Sequence, residues 1–234
     1  GFLAMGPRCI VFDEATAMLD PMGRHMIRET MKQLHDEGLT VITITHSMDE
    51  VVDAERVIVL DQGRIALDAL PQHVFSDAET LYELGLTLPP AANLARVLQQ
   101  HFQMDNGHRL STGLLTVSSL VEALDTFCKH AFSNDRKRNE LETAASTLKH
   151  NTTTAPLGKK HCGRKHCLID VRRLGHTYMQ GTPLARQALT DVSLSVAEGE
   201  TRGLIGATGS GKSTLMQHLN GLLRPQRGQV RVDG

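Results

Sequence analysis

The apolar positions of this chain fall in short runs that end in polar residues or in turns. The clearest runs are residues 9–12, 39–45 and 203–205. Runs of this kind, rich in β-branched residues and bounded by turn-forming or polar residues, are typical of buried parallel strands. Residues 55–66 predict two further short strands, joined by a turn at residues 61–63. The pattern therefore predicts a mostly parallel sheet.

Helical periodicity separates these strands. Asp20 followed by Pro21 predicts a helix start, with Asp as the N-cap and Pro at the first helical position. Residues 47–50 form a capping box that predicts another helix, and residues 81–103 and 116–127 predict two amphipathic helices. The first helix carries an apolar stripe that predicts a buried face: Met22, Met26, Ile27, Met31 and Leu34.

The third apolar run leads into a glycine-rich segment that reads G-x-x-x-x-G-K-S. This is the pattern of a phosphate-binding loop, in which glycines let consecutive backbone N–H groups point at a polyphosphate. Lys212 is expected to reach the β and γ phosphates, and the Ser213 hydroxyl to ligate Mg²⁺. Because a helix is predicted directly after the loop, a plain glycine-rich turn is the weaker alternative. The predicted nucleotide-binding residues of this segment are Gly206, Ala207, Thr208, Gly209, Ser210, Gly211, Lys212, Ser213 and Thr214.

Two carboxylates, Asp13 and Glu14, end the first apolar run. Ligands of open α/β sheets bind at the carboxyl ends of strands. One acid at such a place can hold Mg²⁺, and a second can act as a base toward an attacking water. A strand that simply meets solvent looks the same, so the phosphate loop is what favours the functional interpretation. His46 ends the second run and is expected at the same edge, the alternative being a structural histidine beside a helix cap.

Composition narrows the class of protein. The 234 residues are 40% hydrophobic and carry a formal net charge of −1, which fits a globular protein and argues against a nucleic-acid binder. No apolar run approaches the roughly 18 residues that indicate a membrane span. The four cysteines, without a secretory signal, predict free thiols in a reducing compartment.

Residues 11–20 read Val-Phe-Asp-Glu-Ala-Thr-Ala-Met-Leu-Asp and resemble the Walker B strand and D-loop of ATP-binding cassette (ABC) ATPases. Residues 44–46, Ile-Thr-His, resemble the switch-histidine loop of the same family. Both segments are similar to those in the ATPases of energy-coupling factor (ECF) importers. The resemblance implies that Glu14 is the catalytic base, that His46 senses the γ-phosphate and that Asp13 holds Mg²⁺.

The resemblance also implies the fold class, which is α/β. It is a P-loop NTPase (ABC ATPase) core with a mostly parallel sheet, together with an antiparallel β subdomain. Asp20 is implied as a contact between two ATPase cassettes. Tyr178 lies 28 residues before Gly206, near the position of the aromatic residue that stacks on adenine in this family. A tyrosine of the core is the alternative.

Residues 128–167 predict a linker. Between residues 129 and 167, nine Lys or Arg stand against three Asp or Glu, which is typical of a basic, solvated segment. Two His-Cys pairs at residues 161–162 and 166–167 raise the alternative of a zinc site. Their spacing is poor for four tetrahedral ligands, so the linker is the preferred interpretation.

The motifs stand in an unusual order, with Walker B and the switch histidine before the phosphate loop. An ABC cassette has the phosphate loop first, and the 234 residues contain no Leu-Ser-Gly-Gly-Gln signature. We therefore expect an internal fragment of a tandem protein. Residues 1–127 are interpreted as the C-terminal half of one cassette, residues 128–167 as the linker and residues 168–234 as the N-terminal half of a second. The two halves are expected to dock as a circular permutant.

By this resemblance, the intact protein is an ATPase that binds ATP and Mg²⁺ and energises an ECF-type membrane importer. Its expected partners are the transmembrane subunits of the importer and a second ATPase cassette, with no nucleic acid, at the cytoplasmic face of the membrane. One alternative is a soluble ABC-class ATPase of translation or DNA repair. Another, for the fragment, is a nucleotide-binding module without turnover.

Overall fold

The computed structural model describes residues 5–101, 114–131 and 166–233. The chain divides into two compact units. One consists of Gly1–Leu88 together with Arg164–Gly234, and the other of Pro89–Gly163. The division into two half-cassettes and a linker stays a prediction.

The larger sheet of the first unit contains β1 (Cys9–Asp13), β2 (Thr40–Ile44), β3 (Arg56–Asp61), β4 (Arg64–Ala69) and β7 (Thr201–Ile205). Their order across the sheet is β1-β2-β7-β3-β4. The first four strands of this order are parallel, and β4 pairs antiparallel with β3. The sheet therefore includes both the strand before the acidic pair and the strand before the phosphate loop.

Burial explains why the central strands are rich in apolar and β-branched residues. All five residues of β2 are buried, as are four successive residues of β3, because parallel strands are covered on both faces. A side chain cannot replace Gly203 in the middle of β7, since its Cβ would stand 2.6 Å from Val51 Cγ1. Close packing above the sheet thus holds β7 between its two neighbours.

The second sheet of this unit is antiparallel, in the order β6-β5-β8. It contains β5 (Cys167–Tyr178), β6 (Arg186–Ala197) and β8 (Arg227–Val232). Alternate residues of β6 are buried, namely Val192, Leu194 and Val196. They pack in one hydrophobic core with Ile44 and Leu204 of the larger sheet, so the two sheets share a core.

The helices of the first unit are α1 (Pro21–Asp36), α2 (Pro71–Val74), α3 (Ala78–Glu83) and α6 (Lys212–Leu219). Asp20 is the N-cap of α1, and its Oδ1 accepts a hydrogen bond from Gly23 N at 2.8 Å. The structure thus has the helix start that Asp20 and Pro21 predict.

The prediction of a buried methionine stripe on α1 is wrong for its first half. Met22 is 67% exposed and Met26 is 63% exposed, whereas Leu34 is buried. Met31 Sδ is 3.8 Å from Thr43 Oγ1 in β2. Burial along the stripe therefore increases toward the C-terminal end of the helix, where Met31 is half-buried and Leu34 is buried.

The prediction that a helix starts at residues 47–50 is also wrong. The segment forms a single 3-10 turn, Met48–Glu50. The Ser47 hydroxyl does not cap it but donates to Asp49 Oδ1 at 2.5 Å. Asp49 also pairs with Arg28 at 2.6 Å. Its carboxylate thus binds the Ser47 hydroxyl, which in a capping box would accept a hydrogen bond from a backbone N–H of the helix.

The helix predicted over residues 81–103 is interrupted. The structure has α3, a connection, and then α4 (Pro90–His101). Gly85 in the connection has a φ of +71°, and the ring of Pro90 disfavours a helical backbone at Pro89. In the second unit α4 packs against α5 (Val117–Ala131) through Ala91, Ala95 and Leu120, and α5 agrees with the helix predicted from residue 116.

The predicted fold class is confirmed: the structure is α/β, with a mostly parallel sheet and an antiparallel sheet. Among the described residues, no helix has the length and apolar character needed to cross a lipid bilayer.

Candidate functional site

Three parallel strands end side by side at one edge of the larger sheet. The register pairs Asp13 with Ile44, and Ile44 with Leu204. Backbone hydrogen bonds continue past the strands, from Glu14 N to Ile44 O at 2.8 Å and from Thr45 N to Leu204 O at 3.1 Å. The acidic pair and the phosphate loop, which are far apart in sequence, therefore meet at this edge.

The path of the phosphate loop depends on two glycines. A Cβ on Gly206 would stand 2.3 Å from Leu60 O, closer than any side chain can approach. Gly211 has a φ of +107°, a conformation that strains other residues. Because Gly211 immediately precedes α6, its backbone turns the loop into the helix.

Between these glycines the loop presents backbone rather than side chains. Thr208 and Gly209 are exposed at its tip, and Ala207 is half-buried. Ser210 is buried, and its Oγ has no hydrogen-bond partner in the part of the chain that the structure describes. Exposed backbone at the start of a helix is the arrangement that binds phosphate.

Lys212 is buried within this loop. Its Nζ donates to Gly206 O at 2.7 Å and to Ala207 O at 3.2 Å. Burial lowers the pKa of Lys212, and the charges of Glu14 and Asp13 oppose that change. Conversely, burial and the Glu14 charge raise the pKa of Asp13, while Lys212 opposes this rise. The opposite charges of Lys212 and the acidic pair thus lie at the same edge of the sheet, where β1 and β7 both border β2.

Glu14 has a backbone conformation that is uncommon for its residue type. Its φ is +47°, in the left-handed region that few non-glycine residues adopt and that recurs at functional sites. The turn directs its carboxylate toward the next strand end, where Oε1 lies 3.4 Å from His46 Nδ1. Both side chains are open to solvent, so a ligand can reach them.

The remaining predicted residues lie around α6 and α1. Ser213 is exposed in the first turn of α6, and the neighbouring Thr214 is buried. Thr214 Oγ1 is 3.2 Å from the hydroxyl of Tyr178, which ends β5. Tyr178 thus lies beside the phosphate loop, and its contact with adenine stays a prediction. Asp20 is exposed but uses its carboxylate to cap α1, and its contact with a second cassette is untested.

The zinc alternative falls partly outside the described residues, since His161 and Cys162 are not among them. His166 and Cys167 are exposed at the start of β5. Across residues 5–101, 114–131 and 166–233, no three His, Cys, Asp or Glu side chains group as metal ligands. A magnesium ion held by one carboxylate, one hydroxyl and substrate oxygens does not need such a group.

Sequence reasoning missed two side chains beside Tyr178, His176 and Arg186, and a third, His218, which contacts His176. The ring of His176 meets the Tyr178 ring edge-on at a centroid distance of 4.6 Å and the His218 ring at 4.9 Å. Arg186 lies opposite Tyr178 in the β5–β6 pair. No motif marks these residues. A sequence signal existed for Arg186: if the strands on either side of residues 179–185 pair as a hairpin, Arg186 lies opposite Tyr178.

The buried histidine pair predicts a pH-dependent stability. Burial, and secondly the charge of His218, lower the pKa of His176 from its ordinary value of 6.5. The unfolded chain therefore binds a proton at a higher pH than the folded chain does. The free energy of unfolding should fall as the pH drops through about 6.5, by at most about 1.4 kcal/mol per pH unit for this group.

Urea unfolding between pH 5 and pH 8 measures this effect. His176→Phe keeps an aromatic ring and should flatten the loss of stability at acidic pH. The matched control is His25→Phe on the exposed side of α1, which should leave the slope as it is in the unchanged protein. Equal slopes in both variants would show that His176 titrates alike in the folded and unfolded states.

Comparison with known proteins finds similarity to one family. Residues 189–234, which contain the phosphate loop, match a family model described as ABC transporter. This part of the chain is thus similar to ABC transporter proteins, and the resemblance to ABC ATPases inferred from the motifs is confirmed.

Within that class the chain is similar to energy-coupling factor transporter ATP-binding proteins. It is 47% identical over 123 residues to EcfA1 of Caldanaerobacter subterraneus, covering 52% of this chain and 43% of that protein. It is 44% identical over 125 residues to EcfA1 of Clostridioides difficile, covering 53% and 43%. With EcfA of Methanosarcina acetivorans the identity is 45% over 101 residues, covering 43% and 36%. The chain therefore spans less than half the length of these curated relatives.

Proposed function

We propose that the edge formed by β1, β2 and β7 binds the phosphates of ATP. The observation that carries the proposal is the placement of Asp13 and Glu14 at the end of β1 and of the phosphate loop with Lys212 after β7, two strands that both border β2. Buried lysine beside a glycine-rich loop supplies the positive charge that a polyphosphate needs. The carboxylates of Asp13 and Glu14 would repel that polyphosphate unless a cation lay between them.

The site contains oxygen ligands that suit Mg²⁺ as this cation. Asp13 ends β1, and Ser213 is exposed in the first turn of α6. In proteins Mg²⁺ usually binds one or two such oxygens, and substrate phosphates and water complete its coordination shell. When bound, the ion neutralises charge that develops on the phosphates. Asp13 and Ser213 would hold the ion. Lys212 Nζ would exchange its hydrogen bonds to the carbonyls of Gly206 and Ala207 for hydrogen bonds to phosphate oxygens.

Glu14 is proposed as the base for ATP hydrolysis. Its exposed carboxylate can accept a proton from a water that attacks the γ-phosphate. The nearby His46, at 3.4 Å from Glu14, can orient the carboxylate and contact the same phosphate group. In this proposal His46, which follows β2, senses whether a γ-phosphate is present.

For the intact protein we propose an ATPase that energises an ECF-type importer. Support comes from the names of the relatives, which are ATP-binding proteins of energy-coupling factor transporters. Transmembrane importer subunits and a second ATPase cassette would be its partners, at the cytoplasmic face of the membrane. Because the chain spans less than half of those relatives, turnover is assigned to a longer protein that contains it.

Two measurements on different proteins test this function. Calorimetric titration of the 234-residue chain with ATP and Mg²⁺ should show one binding site, and removal of Mg²⁺ should weaken it. A full-length protein carrying this chain, reconstituted with its membrane subunits, should hydrolyse ATP. The 234-residue chain alone is expected to bind without turnover. Absence of ATP binding by the chain would overturn the assignment of the site.

A further inference from the structure

Arg186 begins β6 at the end of the antiparallel sheet that faces the phosphate loop. Its pairing partner in β5 is Tyr178. Side chains of directly opposed residues in an antiparallel pair project from the same face of the sheet. Tyr178 uses that direction to reach α6, where its hydroxyl is 3.2 Å from Thr214 Oγ1. Arg186 therefore extends from the sheet beside the tyrosine and toward the same helix.

The guanidinium of Arg186 reaches the tip of the phosphate loop. Its Nη2 is 3.3 Å from the position that a Cβ on Gly209 would occupy. Gly209 is exposed and has a φ of +81°, so the loop backbone turns outward at the point where the arginine approaches. A permanent positive charge thus stands over the exposed backbone of the loop.

This arginine differs from most arginines around the two sheets. Arg8, Arg28, Arg56, Arg172 and Arg202 each pair with a carboxylate. Arg186 is exposed, and none of the ion pairs or hydrogen bonds found among the described residues uses its guanidinium. Five N–H donors in a planar fork are therefore available, and that geometry matches phosphate oxygens.

We propose that Arg186 is a nucleotide-binding residue that contacts the phosphate chain on the side of the base. The inference rests on the proposed function, in which Lys212 holds the terminal phosphates. A nucleotide that extends from Tyr178 to Lys212 must pass the loop tip, where Arg186 Nη2 stands. The arginine closes over the phosphates from the antiparallel sheet while the loop holds them from below.

Substitution of this side chain gives a direct test. Arg186→Gln in the 234-residue chain should weaken ATP and ADP binding about tenfold, because a charge-assisted hydrogen bond to phosphate is lost at a partly solvated site. Arg186→Lys should recover part of that loss, since it restores the charge without the planar fork. The matched control is Arg224→Gln, another exposed arginine, which should bind ATP as the unchanged chain does.

Salt provides a second readout that a purely structural role would not change. The affinity of the unchanged chain for ATP should fall more steeply with salt than that of Arg186→Gln, because one exposed charge contact is missing in the variant. Thermal unfolding without nucleotide should be the same for both, since Arg186 bonds to no described residue. Weaker ATP binding by Arg186→Gln together with a lower unfolding temperature and an unchanged salt dependence would overturn the contact.

The outcomes separate this inference from the function on which it rests. If the unchanged chain binds ATP, Lys212→Ala binds it about 10- to 100-fold more weakly and Arg186→Gln binds it normally, then Arg186 does not contact the nucleotide and the phosphate site stands. If the unchanged chain binds no ATP at all, the proposed function fails and the role of Arg186 fails with it.

Discussion

Replacing Lys212 with alanine should weaken the binding of ATP by about 10- to 100-fold. Lys212 is buried, and its Nζ donates only to two carbonyls of its own loop among the described residues. Hydrogen bonds between charged groups contribute about 1.5–3 kcal/mol each, which corresponds to that range of affinity. Calorimetric titration of the 234-residue chain with ATP measures the change.

Stability without nucleotide distinguishes a ligand-binding lysine from a structural one. Because burial lowers the pKa of Lys212, its charged form is held in the folded chain at a cost in free energy. Lys212→Ala should therefore unfold at a similar or higher temperature than the unchanged chain, while the rise in unfolding temperature at a given ATP concentration becomes smaller. Lys32→Ala on the exposed side of α1 is the control. A large loss of stability with normal ATP affinity would refute the phosphate role.

Replacing Glu14 with glutamine should abolish hydrolysis while leaving ATP binding intact. Glutamine keeps the shape of the side chain but cannot accept a proton, and a general base contributes about 100- to 10,000-fold to a rate. The experiment requires a full-length protein that carries this chain with its transporter partners. Steady-state phosphate release measures turnover, and retention of labelled ATP measures binding.

The control for this substitution is Glu29→Gln, an exposed residue of α1 that is distant in sequence from the site. Removing the Glu14 charge also removes one of the two groups that oppose the lowered pKa of Lys212. ATP affinity should therefore change little or rise slightly, since less negative charge faces the phosphates. Unchanged turnover in the Glu14 variant would exclude it as the base.

The parts of the fold that sequence predicted correctly are those with local causes. The apolar runs of β2 and β7 predict buried strands by composition alone, and Asp20 with Pro21 predicts the start of α1. The glycine spacing of the phosphate loop reflects backbone positions that exclude a Cβ, as Gly206 shows. Each of these features depends on a few neighbouring residues.

The errors and omissions have non-local causes. The periodicity of α1 identified an apolar stripe but not how far the sheet extends beneath it, so Met22 and Met26 were wrongly expected to be buried. Gly85 and Pro90 indicate the break between α3 and α4, but the prediction of one helix over residues 81–103 gave more weight to the amphipathic pattern. Arg186, by contrast, gains its place from strand pairing and from a loop more than twenty residues away, which no short motif contains.

The position of β7 has a consequence for how the chain reaches this structure during synthesis. β2 and β3 emerge early, yet neither pairs with the other, because β7 lies between them. Until residues 201–205 have been made, both strands present unpaired backbone edges to other chains. Contacts across such a sequence separation also form slowly. Within the 234 residues the central strand is thus made after both of its neighbours, and holding by a chaperone in that interval would protect their open edges from aggregation.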